Sequence, residues 1–115
     1  DESFFNVDNL KIPKTHNYED HAYHLYPLQI DFDKLTLSKS EFFEKMKESG
    51  INLQIHYIPV HLQPFYKKNY GFNTGEFPVS ENFYKNCISL PMYPALKIED
   101  QNFIVQTIFD YYAYK

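Results

Sequence analysis

The chain has 115 residues, 43% hydrophobic and 23% charged, with a formal net charge of −4, which suits one small domain and is too short for two. Every basic residue is a lysine. The composition therefore argues against a nucleic-acid face built on arginine forks and against guanidinium clamping of a phosphate or carboxylate.

The single cysteine, Cys87, has no internal disulfide partner, and no stretch reads as a membrane span or signal peptide; the expected compartment is the reducing cytoplasm. The chain opens on Asp1 rather than methionine and is expected to be a piece of a longer protein. Aromatics reach 19%, all of them Tyr and Phe, which points to half-buried surfaces such as an interface or a cleft wall.

Taken in order, residues 1–20 read as an N-terminal arm rather than part of the core, with a docked terminal strand as the equal alternative and Asn9–Lys14 as a brief extended segment, leading into a domain over 21–115. His21–Phe32 (HAYHLYPLQIDF) alternates as a strand, with Pro27 implying an edge position or a bulge. Ser38–Ser49 carries the signals of a helix. Ser38 and Glu41 form a capping box, Leu37 and Phe42 a hydrophobic staple, Phe42, Phe43 and Met46 an apolar stripe, and Gly50 the stop.

Ile51–Tyr57 again alternates, Ile51, Leu53, Ile55 and Tyr57 on one face and Asn52, Gln54 and His56 on the other, and is expected as a second strand that ends before Pro59. A loop carrying His61, Gln63, Pro64 and two aromatics follows, and 69–78 continues as loop. Val79–Asn86 reads as a short helix with Val79 and Phe83 facing in, Cys87–Leu90 as an apolar strand, and Ile98–Tyr114 as a closing helix with Phe103, Ile104, Ile108, Tyr111 and Tyr112 inward. The expected fold is α+β: a small three-stranded, mostly antiparallel sheet with helices packed on one face.

No complete catalytic set is visible in the residues themselves. His21 and His24 would point to opposite faces of a regular strand, and His56 and His61 are separated by a proline with no metal-ligand spacing, so no metal site is expected. Cys87 lies in an apolar run, where a packed inert thiol is the expectation. The glycines near residue 71 lack the spacing of a phosphate cradle.

The series HAYHLYPLQID, GI, HYIPVHLQPFYK, YGF, FPVSENFY, ISLPMYP and EDQ, running from Tyr18 to Ile108, resembles the C-terminal small domain of the DegT/StrS-type nucleotide-sugar aminotransferases. It is most similar to those that act at C4 of a UDP-linked keto-deoxy sugar in pseudaminic acid biosynthesis. The resemblance implies fold type I and pyridoxal 5'-phosphate, with the cofactor and its lysine held by a larger N-terminal domain that this chain lacks. It implies a homodimeric parent, a nucleotide-sugar substrate and amino transfer from glutamate.

It also implies that His61 lies close to the substrate, hydrogen-bonded to the sugar or a phosphate oxygen, with His56, Tyr57 and Gln63 in support, and that the piece alone is inactive. An arginine common in the family before the first long helix is absent from FDKLTLSKSEFF, and Lys97-Ile98 replaces the usual capping hydroxyl of the closing helix. The alternative from another class is a stand-alone binding module of the same fold without the chemistry.

Overall fold

A computed structural model describes residues 2–113. Three strands form one antiparallel sheet in the order β1 (Leu10–Lys11), β2 (Tyr26–Ile30), β3 (Cys87–Leu90). Leu10 pairs with Ile30, and Leu28 with Ile88. Among the described residues four α-helices accompany it: α1 (Lys39–Glu48), α2 (Pro64–Tyr70), α3 (Pro78–Asn86) and α4 (Ile98–Tyr112). This is the expected α+β architecture, although two of its parts come from other places in the chain than expected.

Helix α1 forms where the local signals put it. Ser38 Oγ accepts from Glu41 N at 3.3 Å, and Glu41 Oε2 accepts from Ser38 N at 2.8 Å, so two otherwise unpaired first-turn amides are satisfied reciprocally. At the other end Ile51 N donates to Met46 O and Gly50 N to Lys47 O, at 2.8 and 2.9 Å. With Gly50 at φ +81° this is a Schellman stop. Phe42 and Met46 are fully buried and, with Ile104 and Ile108 of α4, pack into one core with Leu28, Ile30 and Ile88 of the sheet.

Of the two readings of residues 1–20, the docked terminal strand holds and the arm outside the core does not. Phe4 and Leu10 belong to the core, β1 supplies one edge of the sheet, and the Tyr112 hydroxyl donates to Asp8 O. Only Asp1 of the expected arm lies outside the described residues. Leu10 enters the core because it pairs with Ile30, a contact 20 residues away that local patterning does not carry.

A correction concerns Ile51–Tyr57, which makes a single bridge, Gln54 to Ser89, instead of a strand. The outward side of β3 explains this. Cys87 N is already donated to Phe83 O at the end of α3, and Pro91 has no N–H, so Ser89 alone is left to exchange both bonds. Ile51 is buried as expected, but Ile55 and Tyr57 face solvent.

Other departures are smaller. The strand expected over 21–32 is regular only over Tyr26–Ile30; Tyr23 has φ +47°, and its amide donates to His21 Nδ1. Pro27 sits in the central strand, but its nitrogen faces the side that β1, covering only Gln29 and Ile30, does not reach. Residues 64–70, expected as loop, are α2, with Pro64 at its first turn and Gly71 closing it at φ +73°. Val79 is 85% exposed and Phe103 54%, against the inward positions expected of both. The closing helix is described to Tyr112; Tyr114 lies outside the described residues.

Candidate functional site

The chain around the HYIPVH motif is anchored at two histidines. His56 Nδ1 is 2.9 Å from Ser89 Oγ, beside the Gln54–Ser89 bridge, so the imidazole is tied to the buried middle of β3. Five residues on, His61 lies in a short 3-10 turn over Val60–Leu62 and is 7% exposed. Its Nε2 is 2.9 Å from Glu81 Oε1, and its ring packs on Phe77 at 4.6 Å.

Glu81 stands in the first turn of α3, where it also accepts from Gly75 N at 2.9 Å and Phe77 N at 3.3 Å. The Gly75 amide is the largest influence holding the Glu81 carboxyl below the usual carboxylate range, with His61 and Phe77 adding to it.

Between the two anchors Tyr57, Ile58 and Val60 are exposed, Tyr57 at 70%, while Pro59 is buried. Gln63 Nε2 donates to Ile58 O at 3.3 Å and closes the turn. The four residues implied by the resemblance are thus neighbours on one rim, but they do not converge on one point. His56 and Tyr57 face the open side, His61 is withdrawn against α3, and Gln63 serves the backbone. Beyond them, Tyr66, Tyr70, Phe72 and Phe77 form a continuous aromatic ladder that reaches the His61 ring.

His56 also lines a cleft of about 610 Å³ between the 51–56 segment, the β3–α4 connection and α4. Its polar wall includes His24, Asn52, Ser89 and Asp100, and its aromatic wall Tyr93 and Phe103. No lysine lines it among the described residues. The cleft does not fit pyridoxal phosphate, because it offers no amine to hold the cofactor and no fixed cation for its phosphate. What it offers is imidazole, amide, hydroxyl, carboxylate and aromatic surface, the groups that bind hydroxylated ligands.

Cys87 is buried and burial pushes its thiol up, in keeping with a packed role. Among the described residues no three metal-ligating side chains cluster, and no helix is long and apolar enough to cross a membrane.

Sequence reading missed the partners rather than the histidines. Glu81 had one available signal, an acid in the first turn after Pro78. Ser89 had none, being one polar residue in an apolar strand.

The fold is an antiparallel sheet with α1 and α4 packed on it and a polar rim held between β3 and α3. The chain belongs to the DegT/DnrJ/EryC1/StrS aminotransferase family, which it matches over residues 1–109. It is 36% identical over 109 residues to the spore coat polysaccharide biosynthesis protein SpsC of Bacillus subtilis, covering 94% of this chain and 28% of that protein.

With the UDP-4-amino-4,6-dideoxy-N-acetyl-β-L-altrosamine transaminase of Campylobacter jejuni it shares 33% identity over 96 residues, 84% of this chain and 25% of that one. The solved structure of Helicobacter pylori PseC, an aminotransferase involved in pseudaminic acid biosynthesis, shares the fold. Its TM-score is 0.83 at 23% identity, over 97% of this chain and 29% of PseC. The chain spans about a quarter of the length of these relatives.

Proposed function

We propose that this chain is the C-terminal domain of a pyridoxal-phosphate-dependent aminotransferase that moves an amino group from glutamate onto a nucleotide-linked keto-deoxy sugar, in cytoplasmic precursor synthesis for cell-surface polysaccharide. The observation that carries this reading is the family match over nearly the whole chain, set against relatives about four times its length. A cleft without an amine agrees with it, since the cofactor and the lysine that holds it would belong to an upstream domain, and the parent would work as a homodimer. The domain alone is inactive on this reading.

In the parent the rim from His56 to Gln63 faces the sugar nucleotide. Tyr57 offers a phenol to a sugar hydroxyl, and His61 binds the substrate through its remaining ring nitrogen. His56 and Gln63 hold the rim in place. These roles orient the substrate; none moves a proton.

The test is purification of the full-length protein, followed by glutamate-dependent amination of a UDP-linked 4-keto-6-deoxy sugar. Loss of a neutral hydrogen bond in His61→Ala should raise KM about tenfold with a smaller change in kcat. Wild-type kinetics in that variant would overturn the site assignment. A native product of only 13.8 kDa on immunoblot would overturn the aminotransferase reading and favour a stand-alone binding module.

A further inference from the structure

We propose that Glu81 is a positioning residue that fixes which ring nitrogen of His61 meets the substrate, and so assigns His61 to a hydrogen-bond donor of the sugar rather than to a phosphate oxygen. The substrate part of this rests on the function proposed above; the positioning part rests on the geometry alone.

The carboxylate is itself immobilised. Oε1 lies 2.9 Å from His61 Nε2, 2.9 Å from Gly75 N and 3.3 Å from Phe77 N, and Oε2 lies 2.9 Å from Gly75 N. The amides of Gly75, in the turn before α3, and of Phe77, its N-cap, therefore fix where the negative charge sits. An ionised carboxylate only accepts, so His61 must present Nε2–H to it. In the neutral imidazole the lone pair then falls on Nδ1. Packing on Phe77 at 4.6 Å holds the ring plane.

Nδ1 makes no hydrogen bond among the described residues and is not among their buried unpartnered atoms. It is the nitrogen left for a ligand. A lone pair there accepts from a hydroxyl or amide N–H and repels a phosphate oxygen. The carboxylate behind the ring acts as a third group that orients a second, the arrangement that fixes histidine tautomers at metal and catalytic sites.

Two measurements test this. Long-range 15N correlation spectra of the histidine-labelled chain near neutral pH should show His61 as the Nε2–H tautomer. Glu81→Ala should relax it to a mixture, and Glu81→Gln should keep it, because the Gln carbonyl oxygen still accepts. An Nδ1–H tautomer, or a ring carrying hydrogen on both nitrogens, in the wild-type chain near neutral pH would overturn the proposal without any variant.

In the full-length protein Glu81→Ala should raise KM for the keto-sugar nucleotide about tenfold, with Glu81→Gln rescuing most of it. Adding Glu81→Ala to His61→Ala should change KM by less than about twofold, as for residues acting through one contact. Additive effects, or a Glu81→Ala variant that loses stability with KM unchanged, would reduce Glu81 to a structural residue. Absence of amino transfer in the wild-type protein would overturn the functional reading alone, since the tautomer still decides the role of Glu81.

Discussion

Replacing Phe42 with alanine probes the contact on which the domain is built. Phe42 is fully buried, with its ring edge-on to Phe32 at 5.6 Å and 68° and to Tyr111 at 6.4 Å and 81°. It is thus the point where α1, α4 and the turn after β2 meet. Truncation of a buried Phe costs about 3–5 kcal/mol, and two edge-on partners place this site at about 4 kcal/mol.

A domain of this size has about 5–15 kcal/mol in total, so the variant loses a large share of it. With a urea slope of about 1.3 kcal/mol/M, the midpoint should fall by about 3 M. Phe42→Leu refills most of the space and should cost about half as much. Urea unfolding of the chain followed by far-UV circular dichroism measures both. Phe103→Ala is the control, because Phe103 is more than half exposed and should lose less than about 1 kcal/mol. Equal costs for Phe42→Ala and Phe103→Ala would refute this placement of the core.

Gly50→Ala should cost about 1 kcal/mol from the left-handed backbone alone, since a Cβ there meets no atom within 4 Å; a neutral result in the same urea assay would contradict the Schellman stop. Lys97→Ser should stabilise by about 1 kcal/mol, because Lys97 caps α4 without any side-chain bond; thermal melts that show no rise in Tm would refute it. Glu41→Gln keeps a capping side chain but removes a carboxyl that Ser38 holds below the usual range. The wild-type stability from this group is present above the unfolded carboxyl pKa, about 4.3, and is lost as pH falls through the lower folded value. The wild-type urea midpoint should therefore drop more steeply than the variant's between about pH 5 and 3.

Elements whose instructions are local were legible in the sequence. SKSEFF and SGI contain the cap, the staple and the stop of α1 within a few residues of where they act, and the CISL strand and the helix from Ile98 formed as read. Illegible elements depend on what stands beside them. Ile51–Tyr57 has the alternation of a strand, but β3 offers it one free residue, Ser89. Leu10 lies in a brief extended segment whose place at the sheet edge is set only by pairing with Ile30.

Helix α2 was readable in principle, since Pro64 and Gly71 are in the positions a helix start and stop require, but the polar and aromatic content between them suggested a loop. At the site, the histidines were singled out by the resemblance of the HYIPVHLQP motif to the family. Their partners lie 33 and 20 residues away, so Ser89 and Glu81 emerged only with the fold.

The two anchors explain how a rim can expose apolar groups and still keep its shape. Tyr57, Ile58 and Val60 gain little from burial, so packing on the core does not order them. They are strung between imidazoles fixed at each end, His56 by β3 and His61 by α3, with Gln63 closing on Ile58 O. Short polar contacts to rigid elements thus do the ordering that a hydrophobic core does elsewhere, and they leave the exposed faces free for a ligand or a neighbouring surface. The arrangement also makes the rim dependent on the first turn of α3. Gly75, Phe77 and His61 share one carboxylate, so a shift of that turn moves the His61 end of the rim while the His56 end stays on the sheet.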